Sequence, residues 1–155
     1  MAEAGEAVAT KRAAATRTNR DDVIRNIILT HNAYLLAFER QCGINVARWR
    51  LLSVAQIVGT CSQSDLTAHT TIGPAAVTRI LKDFERDGLI TRETSPEDAR
   101  QTLVTLTEKG RRLVARVAQQ REKVLAAAFD GFNAADIEAV TDLLGRMGAN
   151  LGARM

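Results

Sequence analysis

The stretch Ser62–Leu106 reads SQSDLTAHTTIGPAAVTRILKDFERDGLITRETSPEDARQTLVTL. Its central segment, residues 74–87, has apolar residues at positions i, i+3, i+4 and i+7, which predicts one buried helix face made of Val77, Ile80, Leu81 and Phe84. The opposite front of this helix carries small, polar and basic residues, namely Ala75, Thr78, Arg79 and Lys82. The pattern therefore indicates a helix with its back in a core and a basic front in solvent.

Turn and strand signals surround this helix. Ser62 and Asp65 resemble a capping box that starts a short helix before it, and Gly73-Pro74 suits a tight turn into the second helix. The segments 89–92 and 103–106 have strand patterns, and Ser95-Pro96 marks a turn between them, with Arg100 near the hairpin tip. Two helices joined by a turn, followed by such a hairpin, predict a winged helix-turn-helix that enters a DNA major groove.

Composition is compatible with this interpretation without deciding it. The chain has 155 residues, 46% of them apolar and 25% charged, which predicts one globular domain. The net charge of +3 is only mildly basic. The placement of the basic residues is more informative, because Arg79, Lys82, Arg92 and Arg100 all fall within the winged unit.

Several classes of function lack any signal in the sequence. The two cysteines, Cys42 and Cys61, have no metal-ligand spacing and do not suggest a disulfide scaffold. No phosphate-binding loop or nucleophile–base set is visible, so we expect no enzyme activity, no metal and no cofactor. There is no signal-peptide pattern and no apolar run that would span a membrane, so we expect a cytoplasmic protein.

The flanking segments predict a mainly α-helical domain with a small β wing. Residues 1–19 have few large apolar side chains and are expected to form a flexible arm. Within a single domain over residues 20–155, we assign 45–107 to the winged DNA-binding unit and 20–44 and 108–155 to long dimerisation helices.

The dimer follows from the apolar faces of the long helices. The last helix repeats Ile137, Val140, Leu144, Met147 and Leu151 at spacings of three and four, which is typical of a helix-packing seam. A two-fold dimer would cover these faces and place two reading helices about 34–36 Å apart on an inverted repeat. The alternative is a monomeric helical bundle that carries a hairpin.

The run AVTRILKDFERDGLITRETSPEDARQTLVTLTEKGRRL, residues 76–113, resembles the MarR family of bacterial regulators, and the likeness extends over about residues 20–152. The matching features are Val77–Arg79, Gly88–Arg92, Asp98–Arg100 and Leu106–Gly110. Trp49–Leu52 also resembles a variant common among the family's regulators of aromatic-compound breakdown. Gly73 departs from the family, which often has Ser or Thr there, and this removes a possible phosphate contact.

The resemblance implies a homodimer that grips a palindromic operator on double-stranded DNA in the bacterial nucleoid. It implies a repressor that is released when a small effector, such as an aromatic acid or a related thioester, binds between the dimerisation helices and the winged unit. Two alternatives stay open at this point. One is a winged-helix protein-interaction module without DNA binding, and the other is a redox-sensing regulator that acts through Cys42 or Cys61.

The candidate DNA contacts lie on the two helices and on the wing: Ser64, Pro74, Ala75, Ala76, Thr78, Arg79, Lys82, Arg92, Asp98 and Arg100. Arg79 either reads guanine or forms an i, i+4 salt bridge with Asp83. Arg100 is expected to enter the minor groove. As the family motif implies, Asp98 either orients Arg100 or braces the hairpin, whereas Arg92 holds the wing or meets phosphate.

The candidate effector residues offer aromatic walls and a cation for a carboxylate: His31, Tyr34, Phe38, Trp49 and Arg50. The alternative is that Tyr34, Phe38 and Trp49 belong to the core and that His31 is a hydrogen-bonded core histidine.

Overall fold

The structure is a computed structural model that describes the backbone of residues 2–152 and the side chains of residues 19–152. Its helices and strands confirm the predicted fold class, mainly α-helical with a small β wing. In chain order the elements are α1 (Ala2–Cys42), α2 (Val46–Val58), β1 (Cys61–Ser62), α3 (Gln63–Ala68), α4 (Pro74–Arg86), β2 (Ile90–Thr94), β3 (Thr102–Leu106), α5 (Glu108–Ala128) and α6 (Ala134–Asn150).

The chain divides into two compact units, Met1–Val124 and Leu125–Met155, and each is described by itself. In the second unit, α6 begins after Asn133, whose side chain accepts a hydrogen bond from Asp136 N at 3.0 Å while Asp136 accepts one from Asn133 N at 3.0 Å. This reciprocal cap satisfies two backbone donors that the first helical turn leaves without partners. The assignment of residues 20–44 and 108–155 to dimerisation stays a prediction.

The core of the winged unit forms where α2, α3 and α4 pack on the sheet. The predicted apolar face of α4 is buried as expected, with Val77, Leu81 and Phe84 at most 1% exposed. Each such side chain contributes on the order of 1.5–3 kcal/mol by leaving water. The buried cluster comprises Leu51, Leu52, Ala55, Cys61, Leu66, Val77, Ile80, Leu81, Phe84, Leu89, Ile90, Val104 and Leu106.

Side-chain caps set the starts of the helices that lead to α4. Asn45 accepts a hydrogen bond from Arg48 N at 2.9 Å and starts α2. Ser62 and Asp65 form the predicted capping box at α3, and hydrogen bonds donated by Ser62 hold the pKa of Asp65 below its usual range. Gly73 precedes α4 without any side-chain cap, and Pro74 occupies the first helical position as predicted.

The sheet has three antiparallel strands in the order β1-β3-β2. In the wing, Ile90 lies opposite Leu106 and Thr94 opposite Thr102, so the hairpin closes over residues 95–101. The two-residue strand β1 pairs Cys61 with Val104, and the sequence did not predict it. It is too short for an alternating pattern, and its second residue also caps α3.

The start of α1 differs from the prediction. The sequence predicts a helix from about residue 20, whereas α1 begins at Ala2. Seven of the first 19 residues are alanine and none is proline, so the intrinsic helix propensity of this segment is high even though it has few large apolar side chains to bury. The side chains of residues 1–18 lie outside the described residues, and the flexible arm proposed for residues 1–19 stays a prediction. The helix ends as expected before Gly43, which has φ 67°.

A cluster of four residues, which we call the wing anchor, joins the end of α4 to the start of α5: Gly88, Leu89, Thr107 and Gly110. The Thr107 hydroxyl donates to Gly88 O at 2.8 Å, and Thr107 N donates to Leu89 O at 3.0 Å. Gly110 N in turn donates to the Thr107 hydroxyl at 3.1 Å. A Cβ added to Gly110 would overlap Leu89 O, so only glycine allows this close approach of α5 to the chain before β2.

The wing anchor predicts that Gly110→Ala destabilises the protein although alanine favours helices. Overlap with a backbone carbonyl cannot be relieved by a rotamer change, so we expect a loss of about 2 kcal/mol or more in the free energy of unfolding. Urea unfolding followed by circular dichroism measures it.

Gly73→Ala is the matched control, because a Cβ there meets no atom within 4 Å in the structure. We expect its free energy of unfolding to stay within about 1 kcal/mol of the parent. Equal stability of Gly110→Ala and the parent would contradict the close packing described for the wing anchor.

Candidate nucleic-acid interface and effector pocket

The front of α4 presents two basic side chains that lack ion-pair partners in the described part of the chain. These side chains are Arg79 and Lys82, and both are exposed. The alternative pairing of Arg79 with Asp83 does not form, because Asp83 instead pairs with Arg48 at 3.3 Å and with Arg86 at 2.9 Å. This front therefore has available cations, and it also carries the small residues Pro74, Ala75 and Ala76.

Thr78 lies on the same helix but its hydroxyl is already bonded within the protein. It donates to Pro74 O at 3.0 Å and accepts from Gln63 Nε2 at 2.8 Å. Thr78 therefore ties α3 to α4, a role that the sequence did not reveal because it depends on Gln63. Ser64, the predicted DNA contact on α3, is exposed and follows Gln63 in the chain.

Arg48 on α2 fixes the back of α4. Its guanidinium lies 4.7 Å from the centre of the Phe84 ring and forms ion pairs with Asp83 at 3.3 Å and Asp87 at 3.4 Å. A cation over an aromatic face contributes roughly 0.5–2 kcal/mol depending on its burial. Sequence reasoning missed Arg48, because its partners lie on a different helix.

The two arginines of the wing have different surroundings. Arg92 is largely buried, with 20% of its side chain exposed, and its Nη1 lies 3.4 Å from Glu85 Oε2 on α4. Of the two predicted roles for Arg92, this geometry favours holding the wing over meeting phosphate. Arg100 is exposed, and its guanidinium makes no hydrogen bond or ion pair within residues 19–152. Arg100 is therefore available to a ligand outside the chain.

Asp98 braces the wing turn. Its Oδ1 accepts from Arg100 N at 3.0 Å, and its Oδ2 accepts from Gln101 Nε2 at 3.3 Å. Asp98 O also accepts from Gln101 N at 2.9 Å. The geometry thus favours a brace over a partner for the Arg100 guanidinium. The carboxylate is thereby occupied by two N–H donors of the wing.

A pocket of about 430 Å³ lies between α1, α2 and α5. This volume is in the range that small-molecule sites usually have. Four of the five predicted effector residues line it, and sequence reasoning missed Arg121. The lining residues are His31, Tyr34, Leu35, Val46, Trp49, Arg50, Ala118 and Arg121.

Phe38 is a correction to the predicted pocket. It is 0% exposed and lies in a core cluster with Cys42 and Val117. Its ring centre is 5.9 Å from that of Tyr34 and 6.5 Å from that of Trp49. Phe38 therefore supports the aromatic wall from behind, in agreement with its alternative interpretation as a core residue.

The pocket combines aromatic walls with two guanidinium groups. Tyr34 and Trp49 supply the rings, and Arg50 and Arg121 supply the positive charge. Arg121 Nη1 lies 3.3 Å from Glu122 Oε1, and Arg50 Nη1 donates to the Thr71 hydroxyl at 3.2 Å. Such a lining suits a flat molecule with an acidic group, because guanidinium binds carboxylate with two parallel hydrogen bonds.

The cysteines are poorly placed for redox sensing. Cys42 and Cys61 are both buried. Burial raises the pKa of the Cys42 thiol against a smaller opposing effect of Arg121, and burial together with Asp65 raises the pKa of the Cys61 thiol. A raised pKa suppresses the reactive thiolate, so the geometry does not favour the redox alternative.

Metal-ligand clusters and membrane-crossing helices are both lacking in the described residues. No group of three or more His, Cys, Asp or Glu side chains there would hold a metal ion. No helix in this part of the chain has the length and apolar character needed to cross a membrane.

Comparison with known proteins identifies the family. The profile of the MarR family matches residues 43–101, which include α2, α3, α4, β2 and the turn of the wing. The HTH-type transcriptional regulator YdgJ of Bacillus subtilis (strain 168), itself uncharacterized, is 36% identical over 114 residues, which cover 74% of this chain and 70% of YdgJ. The chain belongs to the MarR family.

Two further relatives of this MarR-family protein carry functional descriptions. The HTH-type transcriptional repressor IacR of Pseudomonas putida is 28% identical over 117 residues, covering 74% of this chain and 70% of IacR. Bordetella bronchiseptica BpsR, whose DNA binding is regulated by 6-hydroxynicotinic acid, has a sequence 26% identical to this chain. Its structure matches with a TM-score of 0.72 over 82% of this chain and 98% of BpsR. This MarR-family protein is a DNA-binding transcriptional regulator, and its relatives are regulators rather than enzymes.

The bracing of the wing predicts the effect of Asp98→Ala. Removing the carboxylate frees Arg100 N and Gln101 Nε2, so amide hydrogen exchange at Arg100 should become faster. The change in the free energy of unfolding should stay below about 1 kcal/mol, because the turn lies on the surface. Exchange measured by NMR or mass spectrometry, alongside urea unfolding, checks both expectations.

Glu97→Ala is the control, since Glu97 is a neighbouring carboxylate whose side chain makes no hydrogen bond to any described residue. Its exchange pattern should match the parent. Unchanged exchange at Arg100 in Asp98→Ala would show that the carboxylate does not order the turn.

Proposed function

We propose that this protein is a homodimeric repressor of transcription. It binds an inverted-repeat operator and leaves it when a small aromatic carboxylate, or a related thioester, occupies the pocket between α1, α2 and α5. The observation that carries the proposal is the division of the basic side chains of α4 and the wing into paired and unpaired groups.

The paired group stabilises the fold, and the unpaired group is left for DNA. Arg86 and Arg92 have carboxylate partners at 2.9 Å and 3.4 Å. Arg79, Lys82 and Arg100 have no such partner among the described side chains. A surface cation without a local carboxylate keeps its full attraction for phosphate, and arginine can also bind guanine with two hydrogen bonds. We assign Arg79 and Lys82 to the major groove and Arg100 to the minor groove.

The exposed apolar faces of the long helices support a homodimer. Large apolar side chains on α1 and α6 are 40% or more exposed. Scattered exposed apolar residues are ordinary, but repeated ones along a helix mark an interaction surface. A two-fold contact between copies would cover such faces and bring two winged units into one molecule. The exposed residues are Val23, Ile24, Ile28, Leu29, Leu36, Ile137, Val140, Leu143 and Leu144.

The pocket chemistry supports an aromatic acid as effector. Tyr34 and Trp49 offer ring faces, and Arg50 and Arg121 offer donors for a carboxylate. The BpsR relative is regulated by 6-hydroxynicotinic acid, a ring with a carboxylic acid, and the IacR relative is named as a repressor. Both descriptions agree with a repressor that responds to such a molecule.

The DNA interface is tested by Arg79→Ala, Lys82→Ala and Arg100→Ala on a duplex selected from a random library with the parent protein. Each change should weaken binding, by roughly 1–3 kcal/mol where the side chain reads a base. Removing a side chain that binds phosphate should also lower the slope of log affinity against log salt by about one. Fluorescence anisotropy over a range of salt concentrations measures both quantities.

Arg86→Ala provides the control. It also removes one positive charge from α4, but the side chain that is lost already forms an ion pair with Asp83. It should bind the duplex within about twofold of the parent. The DNA assignment would be wrong if the three variants matched Arg86→Ala. A parent protein that selects no duplex at all would instead favour the protein-interaction module.

The effector pocket is tested by Arg121→Gln. Loss of this guanidinium should weaken the binding of benzoate, 4-hydroxybenzoate and 6-hydroxynicotinic acid by about tenfold, because a hydrogen bond to a charged group contributes on the order of 1.5 kcal/mol. Calorimetric titration of the parent and the variant measures the affinity.

Arg116→Gln serves as the control, since Arg116 lies on the same helix but does not line this pocket. Its affinities for the acids should equal those of the parent. If the acids bind the parent but Arg121→Gln binds them equally well, Arg121 does not hold their carboxylate.

A further inference from the structure

Arg50 lies between the effector pocket and the turn that precedes α4. It lines the pocket on one side of α2 and, together with Trp49, also lines a second cavity of about 320 Å³ next to this turn. Its Nη1 donates to the Thr71 hydroxyl at 3.2 Å. One side chain is therefore in reach of both the pocket and the helix-turn-helix.

Among the described residues, the only hydrogen-bond partner of the Arg50 guanidinium is this neutral hydroxyl. Its guanidinium makes no ion pair there, whereas Arg121 has Glu122 at 3.3 Å. A carboxylate attracts the guanidinium by its opposite charge as well as by hydrogen bonding, and it can accept two parallel hydrogen bonds where a hydroxyl accepts one. A carboxylate in the pocket is therefore a better partner for Arg50 than Thr71 is.

The turn itself is weakly tied. Thr70 N donates to Thr67 O at 3.2 Å, and Ile72 N lies a long 3.4 Å from the Thr70 hydroxyl. Gly73 offers no side chain to cap α4. Ile72 packs against the core, but within the described chain the bond from Arg50 is the one side-chain hydrogen bond from α2 to this turn. Loss of that bond would thus change the constraint on residues directly before Pro74, Ala75 and Ala76.

Resting on the proposed function, we propose that Arg50 is the residue through which a carboxylate in the pocket acts on α4. When the carboxylate binds the Arg50 guanidinium, the bond to Thr71 breaks and the start of α4 loses its fixed position for DNA. Arg50 is a positioning residue in this scheme. The acid and Thr71 compete for one guanidinium, and the bond to Thr71 favours DNA binding. The acid and the operator therefore each weaken the binding of the other.

Thr71→Val tests the coupling, because it removes the hydroxyl and keeps the shape of the exposed side chain. The variant should bind the selected duplex about fivefold more weakly without any acid, the effect of one net hydrogen bond. Its amides at Thr71 and Ile72 should exchange faster. Benzoate or 6-hydroxynicotinic acid should bind the variant several-fold more tightly. The factor by which the acid weakens DNA binding should fall about fivefold, because the effects of acid and DNA on each other's binding are reciprocal.

Thr60→Val is the matched control, since it removes another exposed threonine hydroxyl, which pairs with Thr105 at 2.9 Å outside this turn. It should match the parent in DNA binding, exchange and response to acid. The corresponding carboxamides, such as benzamide, control for the charge of the ligand and should leave DNA binding unchanged.

The outcomes separate this inference from the proposed function. If none of the acids alters DNA binding by the parent, the proposed effector class is wrong and the role of Arg50 falls with it. If the acids release the parent but Thr71→Val responds to them like Thr60→Val, only the coupling through Arg50 and Thr71 is overturned. Release by benzamide as strong as release by benzoate would also overturn it.

Discussion

The close approach of Gly110 to the Leu89 carbonyl is the constraint on which the geometry of the winged unit depends. Leu89 O accepts from Thr107 N and at the same time faces a residue without a side chain. This approach brings the start of α5 against the chain between α4 and β2. The Thr107 hydroxyl, which bonds Gly88 O, then joins the return strand to the end of α4. At this point the hairpin and the end of α4 are held together by hydrogen bonds to the carbonyls of Gly88 and Leu89.

α4 is held firmly along its body and loosely at its start. Arg48, Gln63 and Arg92 reach it from α2, α3 and β2 respectively. The wing anchor follows its last turn. Its first turn, by contrast, begins at an uncapped glycine after a turn with long hydrogen bonds. The first turn of α4, where the small residues lie, can therefore move more easily than the rest of the helix, whose back is fixed in the core.

Features encoded by neighbouring residues were predictable from the sequence. The apolar spacing from Val77 to Phe84 predicted the buried face of α4, and the Ser62 and Asn133 caps mark where α3 and α6 begin. Features that need distant partners were not. Arg48 binds carboxylates on α4, and Arg121 on α5 meets the pocket residues of α1 and α2. The placement of Phe38 in the pocket failed for the same reason: Phe38 has the residue type of a pocket wall, but packing of α1 against Val117 on α5 turns it into the core. β1 likewise exists only because β3 offers Cys61 a partner.

The bonding of the Thr78 hydroxyl has a consequence for the base code of the proposed reading face. Its single proton is already given to Pro74 O, so the side-chain donors on the front of α4 that remain for bases are those of Arg79 and Lys82. Charged donors match the acceptor-rich major-groove edge of guanine, and the alanine methyl groups match the methyl group of thymine. The contacted half-site positions of the operator should therefore be enriched in guanine and thymine. The internal hydrogen bond of Thr78 contributes to this preference, because it removes the one neutral donor from the front of α4.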